Sequence, residues 1–144
     1  TNSNYLRNLS KTYPKFNFVN SDLNKVNFEH YKNNINLIFL NGVIHHMNDN
    51  DVKKLIQKLE INLPNSLWIF VDPAKGSKNF LNKIMIKLDR GKYIRHPSEY
   101  QKLMPNTDQL IINNFLKVEF KLIIHFKNID LNNIYVNWLK SNAK

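Results

Sequence analysis

Residues 35–55 read INLIFLNGVIHHMNDNDVKKL. Ile35, Leu37, Ile38, Phe39 and Leu40 form an apolar run that stops at Asn41-Gly42, a turn-forming pair. Two adjacent histidines follow, His45 and His46, and then Asp49 and Asn50 stand as helix caps. Val52, Leu55, Ile56, Leu59 and Leu63 then recur at helical spacing. Strand, turn, polar cluster and helix in that order make half of a parallel βαβ unit. Open α/β sheets bind ligands just beyond the carboxyl ends of their strands. The order of residues therefore sets two imidazoles where such a fold does its chemistry.

Working outward, residues 3–13 carry Tyr5, Leu6, Leu9 and Tyr13, a helix stopped by Pro14. Phe16, Phe18 and Val19 predict a short strand ending at Asn20-Ser21-Asp22, and residues 23–31 suit a loop or short helix. The run at 35–40 reads as a central parallel strand covered on both faces. Downstream, LWIFV at 67–71 is a second buried strand closed by Asp72-Pro73. A helix over 79–88 is broken by Arg90-Gly91, and a short one covers 97–103. A further helix is expected over 107–115, capped by Asn106 or Thr107. Strands at 118–126 and 134–139 are close enough in sequence to pair antiparallel at a sheet edge. Trp68 and Trp138 read as core, and His125 as a core or edge position.

At 144 residues, one domain spanning 1–144 is expected. The absence of cysteine excludes disulfides, thiolate nucleophiles and cysteine–zinc sites, and no metal-ligand set is read from the spacing. No apolar run approaches the roughly 18 residues of a membrane span. The opening TNSNYLRNL has no signal-peptide core, so a soluble, cytoplasmic protein with no membrane partner is expected. A net charge of +10 invites a nucleic-acid reading, which is set aside. Eighteen of the 21 basic residues are lysines spread along the chain, and asparagine occurs 25 times. AT-rich codons alone produce that composition, while base readout favours arginine.

The order of elements, with those strand ends, resembles the class I S-adenosylmethionine-dependent methyltransferases. FNFVNSD at 16–22 is similar to that family's third strand, NGVIHHMND at 41–49 to the loop after its fourth, and LWIFVDP at 67–73 to its fifth. DRGKYIRHPSEY at 89–100 resembles an insertion over the active site, within a helical segment taken here as 77–105. The final hairpin matches the family's antiparallel sixth and seventh strands. The resemblance implies an α/β, Rossmann-like methyltransferase fold with parallel strands followed by a C-terminal antiparallel hairpin. The family's first strand, its glycine-rich loop and the acid after its second strand have no counterpart. The chain's three glycines, Gly42, Gly76 and Gly91, form no GxGxG pattern. The fold is thus expected to be truncated at the N-terminus, as a fragment or a degenerate paralogue, with impaired cofactor binding.

Imidazole titrates near neutrality, so His45 or His46 is suited to take a proton from a substrate hydroxyl. Asp72 ends the neighbouring strand, and parallel neighbours lie about 4.8 Å apart. It either orients an imidazole or simply makes the Asp-Pro turn. The resemblance places Asp22 and Leu23 at the cofactor's adenine side, and the backbone of Asn41 and Gly42 at its amino-acid part. Asp22 alternatively caps a turn. Arg90, Tyr93 and Arg95 lie in the insertion, where two of the chain's three arginines cluster. Arginine grips carboxylate or phosphate with a bidentate fork, so substrate anchoring is one role. A salt bridge with Asp89 or Glu99 is the other.

The function these readings imply is methyl transfer from S-adenosylmethionine to an oxygen or nitrogen of a small molecule, such as a sugar or related metabolite. The alternative is a non-catalytic methyltransferase-like module that binds a partner protein. Lacking its inner neighbour, the apolar strand at 35–40 is also expected to expose an edge through which two chains pair as a homodimer.

Overall fold

The structure, a computed structural model, describes residues 3–32, 34–76, 80–112 and 121–130. Helix α1 (Ser3–Thr12) is followed by two 3-10 turns, Leu23–Lys25 and Phe28–Tyr31, and then by strand β1 (Leu37–Asn41). Helix α2 (Asp49–Asn62) leads to strand β2 (Leu67–Pro73), helix α3 (Phe80–Leu88) and helix α4 (Pro97–Leu103). Strands β3 (Asp108–Ile112) and β4 (Leu122–Lys127) complete the described chain.

The four strands form one sheet in the order β1-β2-β4-β3. β1 and β2 run parallel, with Leu37 opposite Leu67 and Asn41 opposite Val71. β4 lies antiparallel to both neighbours, with Asp72 opposite Ile123 on one side and Ile111 opposite the same Ile123 on the other. Alternation along β2 sends Trp68, Phe70 and Asp72 to one buried face. There the apolar stripe of α2 (Val52, Leu55, Ile56, Leu59) packs with Ile44, Ala74, Tyr100, Leu103, Met104 and Ile123. Trp68, as expected, is fully buried and stacks on Phe70.

Four local expectations need correction. Phe16, at 66% exposed, and Val19, at 62%, find no sheet to join, so residues 16–22 make no strand. The cap of α2 is Asn48, whose Oδ1 accepts from the Asp51 N–H at 3.0 Å, rather than Asp49 or Asn50. Those two occupy the first turn instead, and Asp49 and Asp51 there favour the helix dipole. β1 is covered on one face only among the described residues, with Leu37 and Phe39 exposed and Ile38 and Leu40 packed on the core.

The fourth correction concerns 107–115, where residues 108–112 form strand β3 and not a helix. Thr107 resembles an N-cap, but its hydroxyl donates to the Met104 carbonyl at 2.7 Å. The ladder with β4 then takes over a stretch whose β-branched Ile111 and Ile112 already favour it. Within the described residues, β4 pairs antiparallel with β3 and β2. The segment 134–139 and Trp138 lie outside the described residues.

Candidate functional site

At the carboxyl ends of β1 and β2 the chain brings His45 and Asp72 together. Gly42 turns the chain after β1 at φ +66°, a conformation that favours glycine, while its N–H continues the ladder to the Val71 carbonyl at 2.8 Å. A 3-10 turn, Ile44–His46, follows, pinned by fully buried Ile44. That turn aims the His45 imidazole at Asp72. Nδ1 lies 2.6 Å from Asp72 Oδ1, and the His45 backbone N–H donates to the same oxygen at 3.1 Å. Both residues are buried. Burial raises the Asp72 carboxyl above its ordinary value, and the bonds from His45 pull the other way. With the carboxylate accepting at Nδ1, the free lone pair of neutral His45 is on Nε2.

Nε2 faces Asp89 Oδ1 at 3.3 Å. Asp89 ends the segment that leaves α3, and its Oδ1 also accepts from the Gly91 N–H at 2.5 Å. Gly91 lies flat against the imidazole, since a Cβ built there would stand 1.9 Å from His45 Cδ2. The Tyr93 N–H donates to the His45 carbonyl at 2.9 Å, and Lys75 N–H donates to the Arg95 carbonyl at 2.9 Å. Residues 89–95 thus form a roof fastened over His45. His46 stays exposed, its ring centred 4.1 Å from that of His45 and tilted by 40°.

Arg95 is the rivet of that roof. Its Nε and Nη2 donate to Asp49 Oδ1 at 3.0 and 2.7 Å. Nη2 also reaches the Met47 carbonyl at 2.7 Å, and Nη1 the carbonyls of Tyr93 at 2.8 Å and Ile44 at 3.3 Å. All five donors of the guanidinium are engaged within the protein. The expected ion pair with Asp89 or Glu99 is made with Asp49 instead, and Glu99 accepts from the His96 N–H. Arg95 therefore holds the loop of 44–47 to the roof and has no fork left for a substrate. Arg90 and Tyr93 are exposed on the roof, with the Tyr93 ring 5.6 Å from the Arg95 guanidinium carbon.

The residues assigned to the cofactor each have a local place in the fold. Asn41 is exposed at the end of β1. Asp22 caps the turn at Leu23–Lys25, its Oδ1 accepting from the Asn24 N–H at 2.9 Å, and Leu23 packs against the core. The place of Asp89 and Gly91 beside His45 was not legible in the sequence, where Asp89 reads only as a salt-bridge partner and Gly91 as a helix breaker. His125, in β4, is buried among Thr107, Gln109 and Tyr100, away from this cluster.

No protein-family model matches the chain, and no curated protein matches it. Solved structures do. Mitomycin 7-O-methyltransferase MmcR superposes with a TM-score of 0.61 at 14% identity, over 85% of this chain and 38% of that one. DhpI, in a complex with SAM and HEP, gives 0.53 at 11% identity, over 83% and 61%. The N,N-8-amino-8-demethyl-D-riboflavin dimethyltransferase RosA from Streptomyces davawensis gives 0.50 at 17%, over 76% and 33%. This chain spans less than two thirds of each of those proteins. At such identities the likeness is one of fold, and the fold is that of the class I methyltransferases: parallel strands followed by antiparallel ones in a mixed α/β domain. Among the described residues, no helix is long and apolar enough to cross a membrane.

Proposed function

We propose that this chain is part of an S-adenosylmethionine-dependent methyltransferase that acts on an oxygen or nitrogen of a small molecule. The observation that carries the reading is the His45–Asp72 pair, at 2.6 Å, beyond the carboxyl ends of two parallel strands. That is where open α/β sheets place their ligands. The relatives in fold support it, since MmcR and RosA are named for transfer to an oxygen and to an amino nitrogen of small molecules.

In this reading Asp72 holds the Nδ1–H tautomer, and Nε2 accepts the proton of the acceptor hydroxyl or amine. The cofactor, when bound, would supply the methyl group to that oxygen or nitrogen. The imidazolium that results stands between two carboxylates, Asp72 and Asp89, which stabilise its charge. Most of the acceleration comes from holding two reactants in line. Residues 89–95 roof the acceptor site, and Arg90 and Tyr93, exposed on them, meet the acceptor.

The described residues fit part of a cofactor site. Asn41 and Gly42 would hold its amino-acid part, and Asp22 with Leu23 its adenine, while the cofactor itself supplies the activated methyl group. No glycine-rich loop cradles the methionine end, because none of Gly42, Gly76 and Gly91 lies in a GxGxG pattern. Affinity of this chain alone is accordingly weak. Calorimetry with S-adenosylmethionine tests the reading. Little heat is expected from these 144 residues and saturable binding from the longer protein that contains them. Tight binding by the 144-residue chain would refute the assigned deficit, and no binding by the longer protein would refute the cofactor.

A further inference from the structure

The roof brings a third group to the two histidines. Ligand atoms of His45, His46 and Asp89 all lie within 4.8 Å of one another. The Nε2 lone pair of His45 and a carboxylate oxygen of Asp89 face each other at 3.3 Å, two acceptors directed at the same point. Ligands about 2.1 Å from a tetrahedral ion stand roughly 3.4 Å apart, so this spacing is that of two neighbouring corners. His45 also has the support that metal-bound imidazoles use. Its other nitrogen is tied to a buried carboxylate, Asp72, at 2.6 Å, which fixes the tautomer and the ring. Asp89 is anchored by the Gly91 N–H, and the exposed His46 leaves one side of the cluster open to a small ligand.

We propose that His45, His46 and Asp89 form a three-ligand site for a divalent transition-metal ion of the zinc class, with Asp72 as outer support. Two imidazoles and one carboxylate suit zinc, cobalt or nickel in preference to magnesium or calcium, whose ligands are oxygens. A fourth coordination position stays open toward solvent. The ion takes the same Nε2 lone pair that the base reading gives to a proton, so metal and proton acceptor exclude each other. Resting on that reading, bound zinc silences methyl transfer.

The test uses the 144-residue chain, stripped with chelator and titrated with zinc chloride by calorimetry and with cobalt chloride by visible absorption. One equivalent of each is expected to bind. His46→Ala, at an exposed position, and Asp89→Asn should each weaken binding at least about tenfold, and Asp72→Asn about 10- to 100-fold with all three ligands intact. His30→Ala and His96→Ala should change nothing. Absence of saturable binding, binding indifferent to His46 and Asp89, or loss through His30 or His96 would each overturn the site. In the longer enzyme, turnover unchanged by a saturating equivalent of zinc would overturn the silencing. Full turnover by metal-free His45→Ala would instead overturn the base reading and leave the metal site standing.

Discussion

Lowering the pH should destabilise this fold through one buried histidine. His125 sits in the middle of β4 at 2% exposure. Its Nδ1 is 2.9 Å from Thr107 Oγ1, and that hydroxyl gives its own proton to the Met104 carbonyl, so Nδ1–H must be the donor. Nε2 faces the Gln109 amide nitrogen at 3.4 Å and serves as acceptor. A second proton on the ring would set N–H against N–H with no carboxylate among these partners. Burial accordingly lowers its pKa from 6.5 to about 4. Between those values the unfolded chain takes up a proton that the folded chain refuses, so stability falls as the pH drops through that window. One proton corresponds to at most about 1.4 kcal/mol per pH unit, and the full window to about 3 kcal/mol. Urea denaturation at pH 7.5 and pH 4.5 should therefore show the native chain losing about 2–3 kcal/mol more than His125→Asn does. The variant will be less stable at both pH values, but the difference between the two proteins should shrink on acidification. An unchanged difference would refute the buried, neutral imidazole.

Arg95→Lys keeps the charge but loses the fork, leaving the carbonyls of Ile44, Met47 and Tyr93 short of donors. A cost of about 2–4 kcal/mol is expected in denaturant unfolding, and a value within error of the native chain would contradict the rivet. Gly91→Ala puts a methyl group into the space of the His45 ring, which should shift the His45 imidazole NMR signals and cost about 1–3 kcal/mol. Unmoved signals would show that the roof is not fastened as described. The outer edge of β1, with Leu37 and Phe39 exposed and no further strand beside it among the described residues, should drive concentration-dependent association that Phe39→Lys relieves. Light scattering from a strict monomer at high concentration would remove that expectation.

What could be read in the residues was what local patterning dictates. The 35–55 stretch declares its strand, turn and helix because one apolar stripe changes period from strand to helix within it. The contact between His45 and Asp72 followed from two strand ends lying side by side, which parallel pairing of β1 and β2 supplies. Where partners distant in sequence decide the outcome, the residues were silent. Thr107 looks like a helix cap until β4 claims the residues after it. Phe16 and Phe18 alternate like a strand, but among the described residues no strand pairs with them. Arg95 shows a charge and not the Asp49 carboxylate and three carbonyls it binds, and Asp89 gains meaning only when the roof folds it onto Nε2.

The central claim is that His45, held by Asp72, takes the acceptor's proton during methyl transfer. The most direct measurement is the turnover of His45→Ala beside its dissociation constant for S-adenosylmethionine, both in the longer enzyme with its own acceptor. Removing a general base costs about 10²–10⁴ in rate. Turnover should fall by that factor while cofactor affinity stays within about twofold of native. Adding Asp72→Asn should lower turnover little further, because the two act as one unit. Full turnover by His45→Ala across the pH range would contradict the account and leave positioning of the two reactants as the whole of the catalysis.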